Sequence, residues 1–159
     1  MRTIRTKVYK FDELTQTAKD TVIQKLSDIN VDYDWWESTY EDAKNAGLQI
    51  NSFDIDRGSY CKGEFIQDAD YCAEKILQEH GNACETYKTA ANYMEERSKL
   101  NIDEQEDELS DLDSEFLKSI CEDYRIMLSN EYDYLTSEKA IIETIQANEY
   151  EFTADGRRF

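Results

Sequence analysis

The stretch that decides the fold is Asp28–Phe65, DINVDYDWWESTYEDAKNAGLQINSFDIDRGSYCKGEF. Its first half sets six carboxylates among two tryptophans and two tyrosines, with no Lys or Arg between Lys25 and Lys44. At about 100° per residue, Trp36, Tyr40 and Ala43 gather on one helix face, while Asp34, Glu37 and Glu41 gather on the opposite one, with Asp42 at their flank. Asp34 as N-cap, Glu37 reaching back in a capping box and Gly47 as a left-handed stop bound the predicted helix. Leu48–Asp56 then alternates apolar and polar residues. After the turn signal Asp56, Arg57, Gly58 the chain returns through Tyr60–Phe65, which reads as a β-hairpin. An amphipathic helix followed by a hairpin points to an α+β fold.

Outward from this centre the pattern continues in both directions. Thr3–Phe11 alternates as a strand and carries three of the 18 basic residues, Arg5, Lys7 and Lys10. Leu14, Ala18, Val22, Leu26 and Ile29 recur at helical spacing behind a cap at Asp12 or Thr15, giving a stripe to lay on the sheet. Downstream, Asp68–His80 reads as a helix burying Ala69, Cys72, Ala73, Ile76 and Leu77, closed by Gly81. A second helix, about Ala83–Leu100, carries Tyr87, Ala91 and Met94, so the two form a helical hairpin. Leu109, Leu112, Phe116 and Ile120 mark a long amphipathic helix, frayed or broken near Ser110 and continuing through Tyr124, Met127 and Leu128 to about Tyr134. Thr136 or Ser137 caps a last helix with Ala140, Ile141 and Ile145, and Glu149–Thr153 alternates as a final strand. The expectation is a single acidic α+β domain over residues 1–159, a small antiparallel sheet of three or four strands packed with five or six helices.

Composition sets the exterior. The 159 residues suffice to bury a core without disulfides or metal, 40% are hydrophobic and 12% aromatic, and the mean hydropathy is −0.81. The formal net charge is −18, from 36 acids against 18 bases. That disfavours direct binding to nucleic acid or an anionic membrane, whose phosphates are repelled, and favours a basic protein partner under electrostatic steering. Four cysteines without CxxC spacing, no apolar leader in MRTIRTKVYK and no long apolar run lead to the expectation of a reducing cytoplasm and no membrane association. Proline is absent, which suits uninterrupted helices.

Constellations that carry catalysis are weak. Asp54, Asp56 and Glu64 share the hairpin, but a calcium loop fails because Ser59 stands at the glycine position and Phe65 at the twelfth. Cys72, His80 and Cys84 lack the close cysteine pairs of structural zinc. The single histidine, His80, has no motif fixing a Ser or Cys against it, and none of the five glycines forms a phosphate-cradling loop. No catalytic, cofactor or metal residue is assigned, and the chain is expected not to be an enzyme.

The acids are the remaining pattern. Carboxylates at i and i+4 of a helix lie about 6 Å apart, comparable to phosphates along a nucleic-acid strand. Glu37 and Glu41 form one such row. Between Lys99 and Lys118 a second base-free run places Glu104, Asp107, Glu108, Asp111 and Glu115 opposite the apolar stripe. Partner-binding candidates are therefore Asp32, Asp34, Glu37, Glu41 and Asp42 first and the Glu104–Glu115 row second, with Trp35 as an aromatic anchor because Trp36 turns to the core.

KVYKFDEL (Lys7–Leu14), VDYDWW (Val31–Trp36), FDIDRGSYC (Phe53–Cys61) and NEYEF (Asn148–Phe152) resemble segments of a family of small acidic proteins carried by phages and prophages, some of which resemble anti-CRISPR inhibitors of Cas9. The resemblance spans the chain, is most specific over Val31–Cys61 and supplies no site positions. It implies a phage-type anti-defence protein that fills the basic DNA or RNA groove of a nuclease such as Cas9. The alternative is a non-enzymatic regulatory module, antitoxin-like or a modulator of a transcription or replication protein. Charge and periodicity do not specify the oligomeric state.

Overall fold

A stack of three aromatic rings fixes the middle of the chain. In the computed structural model, which describes all residues Met1–Phe159, Phe116 stacks on Tyr93 with ring centroids 4.3 Å apart and on Phe65 at 5.5 Å. These rings belong to one of two compact units, Trp36–Asn130; the other joins Met1–Trp35 to Glu131–Phe159. The fold is α+β with six α-helices. Its four strands form two separate antiparallel pairs, not the one sheet expected.

In Trp36–Asn130, α2 (Glu37–Asn45) begins at Trp36, which offers no side-chain cap. The expected capping box from Asp34 is thus absent. Asp34 lies outside the helix, and the chain enters it with the Trp36 indole edge-on to Phe53, 5.7 Å between centroids. Tyr40 also meets Phe53 and Ala43 is fully buried, so the apolar helix face is as read. Gly47, at φ +88°, ends the helix. Strands β2 (Leu48–Asp54) and β3 (Tyr60–Phe65) pair antiparallel, with a bulge between Ile50 and Ser52. The left-handed turn residue is Ser59, φ +41°, and not Gly58.

The hairpin packs with α3 (Ala69–Glu79), α4 (Glu85–Ser98) and the first part of α5 (Glu106–Leu135) around Leu48, Ile50, Cys72, Ile76, Tyr93, Phe116, Ile120 and Tyr124. Helix α3 ends because His80 turns extended, φ −91° and ψ 145°, where a left-handed Gly81 was expected. Helix α4 buries Thr86, Ala90 and Tyr93, one position earlier than the expected Tyr87, Ala91 and Met94. The Phe116 stack and a hydrogen bond from the Tyr93 hydroxyl to Asp113 set that phase. Helix α5 runs unbroken through Ser110, with Leu109, Leu112 and Asp113 half-buried there and Phe116, Ile120, Tyr124 and Leu128 buried further along the same helix.

The other unit holds β1 (Tyr9–Lys10), α1 (Gln16–Lys25), α6 (Glu138–Ala147), β4 (Glu151–Phe152) and the end of α5 from Glu131. The expected strand Thr3–Phe11 shrinks to β1. Its partner β4 is only two residues long, so Arg2–Lys7 have no ladder to join and stay exposed. Thr15 caps α1 and Ser137 caps α6, each hydroxyl accepting the N–H three residues on, Ala18 and Ala140, at 3.2 Å. Phe11, Leu14, Ala18, Val22, Ile141, Ile145 and Phe152 form this core. Asn30, 8% exposed, donates to the Leu135 carbonyl and accepts from Thr144. No helix is long and apolar enough to cross a membrane.

Candidate functional site

The charge is unevenly shared. Trp36–Asn130 contains 23 of the acids and 9 of the bases, a net −14, leaving −4 for the other unit. Within it, Glu108, Asp111 and Glu115 of α5 line a shallow groove with Leu112, and Glu96 of α4 joins them. Ion pairs there are local, Glu96 with Lys99 at 3.2 Å and Glu115 with Lys118 at 3.7 Å. Glu108 and Asp111 have no cation partner. Glu106, Asp107 and Glu108 occupy the first turn of α5, where the positive end of the helix dipole offsets part of their repulsion.

The remaining expected residues separate. Glu104 lies in the turn before α5, its N–H bonded to the Asn101 carbonyl, so it is not on the helical row; Asp107 is exposed on α5 but outside the groove. Glu37 and Glu41 are exposed on α2 beside Tyr40 and Lys44. Asp32, Asp34 and Trp35 belong to the other unit, where both acids are exposed. Trp35 is no free-standing anchor: its half-buried ring packs on Tyr132, 5.6 Å between centroids. Asp42 is no free carboxylate either, and its partners lead to a feature that helical phase does not reveal.

Asp42 Oδ2 accepts the Tyr124 hydroxyl at 2.9 Å and lies 3.3 Å from His80 Nε2. His80 Nδ1 is 2.6 Å from the Thr86 hydroxyl. A polar chain thus links α4, the end of α3, α2 and α5. With Nε2 protonated toward Asp42, Nδ1 accepts from Thr86, the tautomer that satisfies every member. Carboxylate, imidazole and hydroxyl in that order are also the parts of an activated nucleophile. Here Thr86 is 3% exposed, and the chain joins four helices.

The chain borders a pocket of about 480 Å³, within the range of small-molecule sites. Ile126 and Met127 of α5 form an apolar wall, each 41% exposed. Four carboxylates line the pocket, Asp42, Glu79, Glu85 and Asp123, and no Lys or Arg does. Asp123 accepts from the Thr89 hydroxyl at 2.6 Å. Burial, with Glu85 and Glu122 nearby, holds its carboxyl above the usual range against the opposing effect of that bond. The sequence signal was faint: a histidine where a helix breaks, and acids already abundant elsewhere.

The cysteines divide by burial. Cys72 is fully buried and its thiol is pushed up to about 12 by desolvation. Cys61 is also raised, first by its hydrogen bond to Cys121 and then by burial. Cys84 is exposed at the pocket. No three His, Cys, Asp or Glu side chains are arranged to hold a metal ion. In comparisons with known proteins the chain matches no family model, no curated protein and no solved structure.

Proposed function

We propose that the protein is a non-enzymatic inhibitor that occupies the basic DNA or RNA groove of a nucleic-acid-processing nuclease, as an anti-defence protein of the anti-CRISPR kind directed at Cas9 or a similar enzyme. The observation that carries this reading is the α5 groove, where Glu96, Glu108, Asp111 and Glu115 converge and two carboxylates have no cation partner in a unit of net charge −14. Lysines and arginines of a nucleic-acid channel would relieve the repulsion among these acids through charge-assisted hydrogen bonds. Glu37 and Glu41 add a second exposed pair on α2. The resemblance to phage-borne acidic proteins supplies the setting.

The test is competition with DNA for a purified Cas9-type nuclease at rising salt. Inhibition is expected at low ionic strength and should weaken between about 0.05 and 0.5 M salt as screening grows. Reversing Glu108 and Asp111 to Lys should abolish it while leaving the fold intact. Inhibition insensitive to both salt and charge reversal would overturn the mimic reading.

A further inference from the structure

Apart from the α5 groove, the molecule offers one cavity in which shape and charge agree. The pocket beside His80 combines an apolar wall, Ile126 and Met127, with carboxylates and no neutralising base on its lining. Its helix ends oppose one another, α3 bringing a partly negative C-terminus at His80 and α4 a partly positive N-terminus at Glu85, so side-chain charge decides the local field. Glu79 and Glu85 have lysine partners, Lys75 at 3.6 Å and Lys88 at 3.2 Å, but neither lysine lines the pocket. Asp42 is held by His80 and Tyr124.

Asp123 is different. It is half-buried, has a hydroxyl as its hydrogen-bond partner and no cation partner, and stands among further acids. A carboxylate so placed gains most from an incoming positive charge, because that charge restores the solvation lost on burial. Ile126 and Met127 are large, apolar and partly uncovered, and the flexible thioether of methionine adapts to aliphatic chains. Charge at one side and hydrocarbon at the other describe one kind of ligand.

We propose that this pocket binds an organic cation, an ammonium or guanidinium on a short aliphatic stem, with the head at Asp123 and the stem along Ile126 and Met127. The group can arrive as a free small molecule or as the tip of a Lys or Arg side chain; both offer the same chemistry. This site is separate from the α5 groove and does not depend on what that groove engages. Its polar chain from Thr86 to Tyr124 holds the wall in place before the ligand arrives, which limits the ordering lost on binding.

The experiment is a methyl and amide NMR titration of the whole protein in 0.15 M salt with three probes: n-butylguanidinium, its uncharged analogue n-butylurea, and the acetylated, amidated peptide Gly-Gly-Arg-Gly-Gly. Saturable shifts at the Ile126 and Met127 methyls are expected with n-butylguanidinium, at least about tenfold tighter than with n-butylurea. Asp123→Asn keeps the acceptor for Thr89 and should weaken binding about tenfold. Met127→Ala, at an exposed position, should weaken it several-fold and decides the matter if Asp123→Asn fails to fold. Peptide binding at the same methyls would assign the site to side chains, and binding of n-butylguanidinium alone to a free ligand. Shifts spread over Glu108 and Asp111 without saturation at the pocket, or equal binding by both variants and the wild type, would overturn the proposal.

Discussion

Replacing Thr86 by Val tests whether the polar chain organises the helices around it. The Thr86 side chain is buried and its hydroxyl lies 2.6 Å from His80 Nδ1. The His80 side chain is 10% exposed, so water cannot readily replace the lost partner. An unpartnered buried nitrogen costs about 1–3 kcal/mol, offset by about 0.8 kcal/mol for the added apolar group, a net loss of about 0.2–2 kcal/mol centred near 1. Thr and Val have similar helix propensities, so α4 itself should be unaffected. Tyr124→Phe, at the far end, should cost about 1 kcal/mol, because Asp42 is 47% exposed and its carboxylate regains water.

Urea unfolding followed by Trp36 fluorescence in a Trp35→Phe background reads the unit that contains Trp36. With a slope of about 1–2 kcal/mol per M, the Thr86→Val midpoint should fall by roughly 1 M. Thr86→Ser keeps the hydroxyl and should fall less. Hydrogen bonds and the imidazole–carboxylate contact join Thr86 to Tyr124 through His80 and Asp42, so a coupling of about 0.5 kcal/mol or more in the double variant is expected if the chain acts as a unit. A Thr86→Val midpoint equal to wild type, or a Ser variant as weak as the Val variant, would refute the reasoning, since packing and not the hydrogen bond would then hold the helices.

Gly156→Ala combines a left-handed φ of +87° with a Cβ that would sit 2.8 Å from the Ala18 carbonyl oxygen, and should destabilise its unit by about 2 kcal/mol or more in thermal unfolding. Gly63→Ala would place its Cβ 2.7 Å from the Gln49 carbonyl oxygen across the hairpin, and should lower stability by about 1–3 kcal/mol. For Asp123, burial makes the folded state hold its proton more tightly than the unfolded chain, whose value is near 3.8. Its contribution is therefore fully present below that value and is lost as pH rises through the folded one. Asp123→Asn should accordingly be more stable than wild type at pH 7 and lose that advantage toward pH 4, measured by unfolding at each pH. With a thiol reagent at pH 8, Cys84 should react at least about tenfold faster than Cys72, read by mass spectrometry, because Cys72 is buried and keeps its proton.

Much of the fold was legible because it follows from local rules. Trp36, Tyr40 and Ala43 share the inward face of α2, Gly47 stops it, and Thr15 and Ser137 cap their helices. What was not legible depended on partners distant in sequence. The extent of β1 was set by the brevity of β4, and the phase of α4 by where Phe116 and Asp113 met Tyr93. The first residue of α2 was decided by indole packing and not by the nearest capping carboxylate.

The same distinction separates the two functional features. An acidic row is visible in sequence because its members sit on one helix, so Glu108, Asp111 and Glu115 could be read together, whereas Glu96 joins them only through the packing of α4 on α5. Asp42 shows the opposite error: phase put it at the flank of an exposed acidic face, and tertiary packing gave it to His80 and Tyr124 instead. Carboxylates on one protein thus have different physical fates. Those without cation partners on α5 retain their mutual repulsion, which on the proposed reading drives binding to a basic surface, while those around the Ile126 and Met127 wall are paired with lysines (Glu79, Glu85), held by His80 and Tyr124 (Asp42) or, like Asp123, half-buried with a hydroxyl partner and no cation. Net charge alone cannot distinguish these two groups. The distinction lies in whether a given carboxylate still has solvent around it or has given it up for a neighbour, and only the second kind creates a selective demand for a small cation.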